Sequence, residues 1–335
     1  MPETGELRVL SIDGGGIRGL IPALVLAEIE DRTGRPIAEL FDLVAGTSTG
    51  GILAAGLTRR GEGGKPRWSA RELARLYLDQ GPEIFARPLL HRARTLFGLA
   101  DPRYPAAPLQ AALDRYLGPA RLSETLTDLL LPAYDTQARE PYFFKTRKAK
   151  EQSGDRDAPL ALAAYATSAA PTYFPAALLP KNGKEPERPL VDGGMYANNP
   201  ALCAYVEARR HHLGDEDRPM LLVSLGTGQL TRPYPYEKVR GWGVAEWMVP
   251  GTPLIDVIFD GASDTVDYHL ADLMGDDHVR LQTALTRAKD DLDDASEENL
   301  AALRAETAKL LRDEAPRIDA LVSRLGGPAP DDPGV

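Results

Sequence analysis

One stretch constrains the fold more than any other, an apolar run that ends on a serine between two glycines and continues as small apolar residues. It covers residues 41–55, FDLVAGTSTGGILAA. The pattern predicts a buried strand, a sharp turn at Ser48 and a buried helix. Gly46 and Gly50 let the backbone turn tightly, and the helix directs free N–H groups at the hydroxyl. This is the arrangement of a nucleophile elbow; the alternative is a serine-rich turn that only caps a helix.

A glycine loop comes earlier in the chain, between an apolar run at residues 7–12 and an apolar helical pattern. In its sequence, DGGGIRG, the glycines Gly14, Gly16 and Gly19 fit the dinucleotide fingerprint G-x-G-x-x-G. That site also needs an acidic residue at the end of the second strand, to bind the ribose. The second strand leads to Ser48 instead, which favours an oxyanion hole, where amides of consecutive glycines converge on a developing negative charge. A plain tight turn is the remaining alternative.

A third predicted strand ends on a carboxylate. The apolar pair Leu190 and Val191 is followed by Asp192, Gly193 and Gly194. A side chain at a strand end of a doubly wound sheet points into the crevice where ligands bind, although a turn or cap carboxylate would give the same pattern. Asp192 is therefore a candidate base.

A histidine base would make the site an α/β-hydrolase triad, and His269 and His278 stand in the required chain order. Two observations count against this triad. Ser48 follows only one strand–helix unit, which is too early for that fold, and neither histidine lies at a glycine-marked strand end. The sequence thus favours a dyad of Ser48 and Asp192.

The acidic excess of the chain, 49 acidic against 39 basic residues, comes from its C-terminal part. Residues 260–335 contain 18 acidic and 8 basic side chains. This balance argues against binding to a nucleic acid polymer, which needs a basic face. The single cysteine, Cys203, excludes an intrachain disulfide framework and a multi-cysteine metal site, and it fits a reducing compartment.

We expect a cytoplasmic protein. The first residues, MPETGE, have neither the basic nor the apolar region of a secretory signal. Residues 158–180 carry no charge, but they are rich in alanine and contain four prolines, so they predict a buried helix and a turn rather than a membrane span.

The alternation of strand and helix patterns predicts an α/β fold of three layers, α/β/α, around a mostly parallel sheet. We expect one domain over residues 1–325, with a motif-bearing core at 7–230 and a helical C-terminal part at 253–325. The proline-rich residues 326–335 are expected to be a disordered tail.

Three ordered motifs resemble the patatin-like phospholipases: DGGGIRG at 13–19, GTSTG at 46–50 and DGG at 192–194. The resemblance extends over about residues 7–230, and it implies the patatin-like form of the three-layer fold. It also implies acyl hydrolysis of glycerophospholipids, of phospholipase A type, through an acyl-enzyme on Ser48 with Asp192 as general base. No metal or organic cofactor is required. The implied oxyanion-hole residues are Gly14, Gly15, Gly16, Arg18 and Gly19, and the supporting glycines are Gly46, Gly50, Gly193 and Gly194.

Two other functions stay open. Some bacterial patatin-like proteins resemble phospholipase effectors of antiphage defence that a cyclic oligonucleotide activates, and basic residues near Arg92 and Lys148 are candidates to hold such a small-molecule activator. A non-enzymatic storage or binding protein is the second alternative. For an enzyme, we expect peripheral contact with membrane phospholipids, at the inner face of the membrane, through residues 81–104.

Overall fold

An eight-stranded sheet organises the computed structural model, which describes residues 5–86, 101–151, 156–211, 218–229, 233–248 and 253–326. The strands are Leu7–Ile12 (β1), Leu43–Gly46 (β2), Asp128–Asp135 (β3), Glu140–Lys145 (β4), Ala177–Leu179 (β5), Arg188–Asp192 (β6), Met220–Leu225 (β7) and His278–Leu281 (β8).

Helices connect and flank these strands in the described part of the chain. They are Leu20–Thr33 (α1), Ile37–Leu40 (α2), Thr49–Thr58 (α3), Ala70–Arg75 (α4), Gly81–Ile84 (α5), Ala106–Leu117 (α6), Thr146–Glu151 (α7), Leu160–Thr167 (α8), Gly194–Ala197 (α9), Ala201–His211 (α10), Tyr236–Val239 (α11), Val244–Met248 (α12), Pro253–Met274 (α13), Glu297–Asp313 (α14) and Ala315–Arg324 (α15). A π-helical turn, Leu76–Gln80, joins α4 to α5.

The strand order is β5-β6-β3-β2-β1-β7-β8, and β4 also pairs with β3. Five neighbouring strands are parallel: β3, β2, β1, β7 and β8. In contrast, β4 and β6 run antiparallel to β3, and β5 runs antiparallel to β6. The predicted mostly parallel sheet is confirmed. One expectation is corrected: the strand that ends at Asp192 is not part of the parallel, doubly wound portion. It returns antiparallel after β5, because a short connection between sheet neighbours reverses the chain direction.

Both faces of the sheet are buried, as three layers require. In β1, the alternate residues Leu10 and Ile12 lie in a core with helices such as α1 and α3, while Leu7 and Val9 lie in a second core with α10 and with Leu270 of α13. This alternation follows from the two-residue period of a strand, and it explains why β1 is apolar almost throughout.

Local sequence signals set several helix boundaries. Gly34 ends α1 with φ of 65°, a conformation that glycine adopts without steric cost. At the start of α4, the Ser69 hydroxyl accepts from the Glu72 amide and the Glu72 carboxylate accepts from the Ser69 amide, which is a complete capping box. Ser296 caps α14 by accepting from the Asn299 amide at 3.3 Å.

The uncharged stretch at 158–180 contains the buried helix α8, as predicted, followed by a turn and β5. Among the helices described above, none is long and apolar enough to cross a membrane. The C-terminal helices α14 and α15 pack against α1, and the Arg8 guanidinium of β1 donates to the carbonyls of Arg324 and Leu325 at 2.7 and 3.2 Å. Except for Gly326, the predicted disordered tail lies outside the described residues.

Candidate active site

Ser48 lies at the turn between β2 and α3, where the sequence predicts an elbow. Its backbone has φ of 54° and ψ of −124°, a strained conformation for a residue with a side chain. The two flanking glycines are required by close backbone approach. A Cβ on Gly46 would lie 2.2 Å from the Gly50 carbonyl oxygen, and one on Gly50 would lie 2.2 Å from the Ile12 carbonyl oxygen. The neighbouring backbone therefore fixes the position of the serine.

Two threonine hydroxyls tie this turn to the rest of the site. The Ser48 amide donates to Thr167 Oγ1 at 3.2 Å, and the Thr167 hydroxyl donates to the Pro132 carbonyl at 2.6 Å. The Thr47 hydroxyl donates to the Ala197 carbonyl at 2.6 Å. Sequence reasoning gave Thr167 no role, although its position at the end of an uncharged helix hinted at a buried polar contact.

The sheet register brings Ser48 and Asp192 to the same level. Strand β3 lies between β2 and β6; Ala45 of β2 pairs with Leu130, and Asp192 of β6 pairs with Ala133. Along β3, the partner of Asp192 thus lies three residues beyond the partner of Ala45. Ser48 likewise lies three residues beyond Ala45 in its own chain segment. The serine and the carboxylate consequently face each other across β3, although Ser48 follows β2 and Asp192 ends β6, and these two strands run in opposite directions.

The Ser48 hydroxyl lies close enough to the Asp192 carboxylate to act on its pKa as a hydrogen-bond donor. Asp192 is buried, with 1% of its surface exposed, and its Oδ1 accepts from the Gly194 amide at 2.7 Å. Gly193 makes this turn possible, because a Cβ there would lie 2.4 Å from the Pro132 carbonyl oxygen. The structure therefore brings the two predicted dyad residues together.

Burial raises the pKa of Asp192 to about 7, because the charged carboxylate loses the stabilisation of water. The hydrogen bonds from the Gly194 amide and the Ser48 hydroxyl act in the opposite direction but are weaker. A carboxylate with a pKa near neutral accepts a proton far more readily than an ordinary aspartate, and at neutral pH a large fraction is still ionised.

The triglycine loop after β1 contains two amides without a protein acceptor. The Gly14 amide donates to the Asn198 carbonyl at 3.0 Å, and the Arg18 amide donates to the Gly15 carbonyl at 3.1 Å. Within the described residues, the amides of Gly15 and Gly16 donate to no other protein group. Of these two, Gly16 lines the same pocket as Ser48, so these amides are candidate donors to an oxyanion.

Close contacts at Gly16 and Gly19 shape this loop. Gly16 has φ of 57°, and a Cβ on it would lie 2.1 Å from the carbonyl oxygen of Leu292, which also accepts from the Ile17 amide at 2.9 Å. A Cβ on Gly19 would lie 2.2 Å from Thr49 Oγ1. Gly19 thus permits close packing against the elbow helix.

A buried ion pair holds the start of the loop. Asp13 Oδ2 lies 2.6 Å from Arg280 Nη2, and Arg280 Nη1 donates to Ser224 Oγ at 2.8 Å. Burial, the largest single effect, lowers the pKa of Arg280. The charge and hydrogen bond of Asp13 and the charges of Asp267 and Asp264 together outweigh burial and raise the pKa above its ordinary value. Sequence reasoning missed Arg280, because it lies far from every motif and no local pattern distinguishes it from other arginines.

An apolar pocket opens beside Ser48 and Gly16. Its cavity volume is about 50 Å³, and it is open to solvent on one side. The Tyr77 hydroxyl, which forms a 2.6 Å hydrogen bond with the Thr49 hydroxyl, lies in its wall. The apolar and aromatic lining consists of Ile17, Ile52, Leu76, Tyr77, Ile84, Phe85, Leu109 and Phe174. Such a lining suits a hydrocarbon chain.

The other candidates from sequence lie elsewhere. His278 starts β8, with Nδ1 3.8 Å from Asp267, and burial lowers its pKa to about 4; His269 packs on Tyr268. In the described ranges, neither histidine has a hydrogen bond to the dyad. The same ranges contain no group of three or more histidine, cysteine, aspartate or glutamate side chains that could hold a metal.

The residues predicted to hold an activator are described only in part. Lys148 is half-buried on α7, whereas Arg92 lies outside the described residues, as does most of the segment predicted to touch the membrane.

Comparison with known proteins adds a family. A family model described as patatin-like phospholipase matches residues 10–205. Patatin-like protein 2 of Arabidopsis thaliana is 36% identical, over 95% of this chain and 86% of the plant protein. Patatin-like protein 1 of Oryza sativa subsp. indica is 33% identical, over 95% and 84%. The protein named probable inactive patatin-3-Kuras 1 of Solanum tuberosum is also 33% identical, over 89% and 85%. Among solved structures, VipD from Legionella pneumophila aligns with a TM-score of 0.39 and 12% identity, over 92% of this chain and 67% of VipD.

Proposed function

The chain belongs to the patatin-like phospholipase family, and we propose on this premise that it hydrolyses ester bonds of glycerophospholipids. One observation carries the proposal: the hydroxyl of Ser48 lies beside a buried carboxylate, Asp192, whose pKa is raised by burial to about 7. A hydroxyl becomes a useful nucleophile when a base adjusted in this way removes its proton during attack. Because one potato relative is named probable inactive, family membership alone does not imply activity, and the proposal depends on these site residues.

In the proposed first step, Ser48 Oγ forms a bond to the ester carbonyl carbon while its proton moves to Asp192. The carbonyl oxygen gains negative charge, which the amides of Gly15 and Gly16 stabilise. We narrow the five predicted oxyanion donors to these two. The Gly14 and Arg18 amides already donate to carbonyls, and we assign Gly19 to close packing against Thr49 of the elbow helix. One such donor is typically worth about a hundred- to a thousandfold in rate. Collapse of the intermediate expels the alcohol, which takes the proton from Asp192 and leaves an acyl-enzyme.

In the second step, water attacks the acyl-enzyme with Asp192 again accepting the proton. The fatty acid leaves and Ser48 recovers its proton, so the residues return to their initial state. The same carboxylate thus serves as base in both halves, and no metal or organic cofactor takes part in this scheme. The apolar lining of the pocket beside Ser48 supports the acyl group as the part of the substrate that is bound there.

The proposal is tested with purified protein and phosphatidylcholine vesicles, by measuring released fatty acid. Ser48→Ala and Asp192→Asn should each lower the rate by about a thousandfold or more, because nucleophile and base act as one unit. Ser123→Ala is the matched control, since this hydroxyl only bonds Asp157 at 2.9 Å. A fluorophosphonate probe should label wild type at Ser48, as mass spectrometry of the labelled peptide would show. Full activity of the Ser48 variant would refute the mechanism, and an inert wild type would favour a storage or binding role.

A further inference from the structure

An exposed apolar surface is formed by the helices α11, α12 and the first turns of α13. We call it the α11–α13 surface and define it by Tyr236, Trp242, Val244, Leu254, Val257 and Ile258. Val244 is 82% exposed and Tyr236 is 72% exposed, and the three aliphatic residues of α13 are each about two-fifths exposed. Single exposed apolar side chains are ordinary, but neighbouring ones indicate an interaction site.

Aromatic contacts hold the part of this surface around α11 and α12 together. The rings of Trp242 and Trp247 pack edge to face with centroids 4.9 Å apart, and Trp242 also contacts Tyr234 at 5.4 Å. Helix α12, which carries Trp247, packs against α13. Two of the three tryptophans of the chain are therefore in this part of the surface. Tryptophan and tyrosine are the side chains that favour the boundary between lipid headgroups and acyl chains.

The charges on this surface have no basic excess. In and beside α11 and α12, Glu237 pairs with Arg240 at 2.9 Å, Lys238 lies over the Trp242 ring, and Glu246 caps the turn by accepting from the Gly243 amide at 2.9 Å. The first turns of α13 add two aspartates, at 256 and 260, so four acidic and two basic residues give this surface no positive charge to attract an anionic membrane. The surface is suited to lipids whose headgroups are zwitterionic.

Helix α13 connects this surface to the active site. A Cβ on Gly194, the residue whose amide bonds Asp192, would lie 3.2 Å from the Phe259 ring. One turn further along α13, the Ser263 hydroxyl accepts from the side-chain amide of Asn198. The backbone carbonyl of Asn198 accepts from the Gly14 amide. The helix that exposes the apolar residues thus lies directly against both catalytic loops.

We propose that the α11–α13 surface docks the protein on a zwitterionic phospholipid membrane and so brings the dyad to its substrate. This rests on the proposed function, because a lipid ester is the substrate that must be drawn from an aggregate. Binding of this kind depends on apolar area and aromatic side chains rather than on charge, so it should be insensitive to salt. A second copy of the chain is the other occupant that the experiment has to distinguish.

The first measurement is co-sedimentation with phosphatidylcholine vesicles. Replacing both Leu254→Asp and Ile258→Asp should lower the bound fraction by about tenfold or more, because the change removes buried apolar area and places two charges at the interface. Leu178→Asp, which alters a residue 57% exposed on β5, is the matched control and should bind as wild type. If the double variant is misfolded by circular dichroism, Val244→Asp on α12 replaces it.

Catalysis separates this proposal from the previous one. Ser48→Ala should bind vesicles as wild type while releasing no fatty acid. The double variant should lose hydrolysis of vesicles but hydrolyse a short-chain monomeric ester at the wild-type rate. If the Ser48 variant stays active, the proposed function fails and the docking result still stands. If the double variant binds vesicles as wild type, or loses self-association in sedimentation velocity without losing vesicle binding, the docking proposal fails.

Discussion

The carboxylate of Asp13 and the guanidinium of Arg280 form a buried ion pair, 2.6 Å between Oδ2 and Nη2. The first residue opens the triglycine loop and the second lies on the edge strand β8. Because Arg280 also bonds Ser224 of β7, one side chain fixes the loop to the last two strands of the parallel part of the sheet.

Removing this arginine should cost both stability and activity. Arg280→Met leaves the Asp13 charge buried without its partner, which typically costs about 3–5 kcal/mol of unfolding free energy. Urea denaturation measures this loss, and ester hydrolysis should fall with it because the loop loses its support. Adding Asp13→Asn should recover much of the stability, since the uncompensated charge is then absent. Arg304→Met, at an exposed position on α14, should change neither quantity; an Arg280→Met variant as stable as wild type would contradict the prediction.

The pH dependence of hydrolysis should report the titration of Asp192. Its pKa of about 7 means that the base is protonated below this pH, so kcat/KM should fall about tenfold per pH unit there and level off above it. A pH-rate profile on a monomeric ester measures this without interference from membrane binding. A profile that is flat from pH 5 to 8 would exclude the raised pKa.

The same carboxylate should make the protein less stable at high pH. Its pKa is raised from 3.8 on folding, so between pH 4 and 7 the native state binds more protons than the unfolded state, and stability falls as pH rises. Asp192→Asn cannot become charged, and it should exceed wild type in unfolding free energy at pH 8, by on the order of 4 kcal/mol, but not at pH 4. Urea titrations at the two pH values test this difference; equal differences at both would argue against it.

Thr167 should be a positioning residue for Ser48. Thr167→Val removes the acceptor of the Ser48 amide and the donor to the Pro132 carbonyl, so the strained turn loses its support. We expect kcat to fall by tenfold or more, with KM nearly unchanged, and stability to fall by about 1–3 kcal/mol. Thr58→Val is the control: its hydroxyl is also buried and donates to a helix carbonyl at 2.8 Å, so it should affect stability alone. Equal kcat values for the two variants would remove Thr167 from the site.

Two effects should destabilise an alanine at Gly16: its backbone conformation and its close contact with Leu292. A comparison with Gly34, which has only the first, should separate them. Gly16 and Gly34 have φ of 57° and 65°, but only Gly16 has a neighbour where a Cβ would be, the Leu292 carbonyl oxygen at 2.1 Å. Gly34→Ala should cost about 1–2 kcal/mol from backbone strain alone. Gly16→Ala should cost more and should also lower the rate, because the loop must move away from Leu292. Thermal unfolding and ester hydrolysis are measured for both variants. Equal losses of stability in the two variants would contradict the prediction.

The sequence was sufficient for the parts of the site that local pattern determines. The run that surrounds Ser48 predicts the strand, the turn and the helix, because apolar periodicity and paired glycines are local signals. The sheet that contains it was predicted as mostly parallel from the strand–helix rhythm, and the structure confirms this. Asp192, the first residue of the third motif, was predicted to end a strand because glycines follow it, and β6 does end there.

Long-range partners were beyond the sequence. The direction of β6 depends on its pairing with β3, and no residue near Asp192 records that pairing. Arg280 and Leu292 act on the triglycine loop through contacts that only the folded sheet creates. The Gly14 amide was predicted for the oxyanion hole, but it donates to the Asn198 carbonyl. A glycine motif carries no information about that partner.

The contact between Leu292 and the triglycine loop has a consequence for synthesis. A chain grows from its N-terminus, so every motif residue has been made by the time Asp192 and its glycines are added. At that stage neither Arg280 nor Leu292 exists, and the loop lacks the ion pair and the carbonyl that hold its shape. A nascent or prematurely ended chain should therefore contain both residues of the proposed dyad without a formed triglycine loop, and the proposed hydrolysis of lipid esters should arise only when translation is nearly finished.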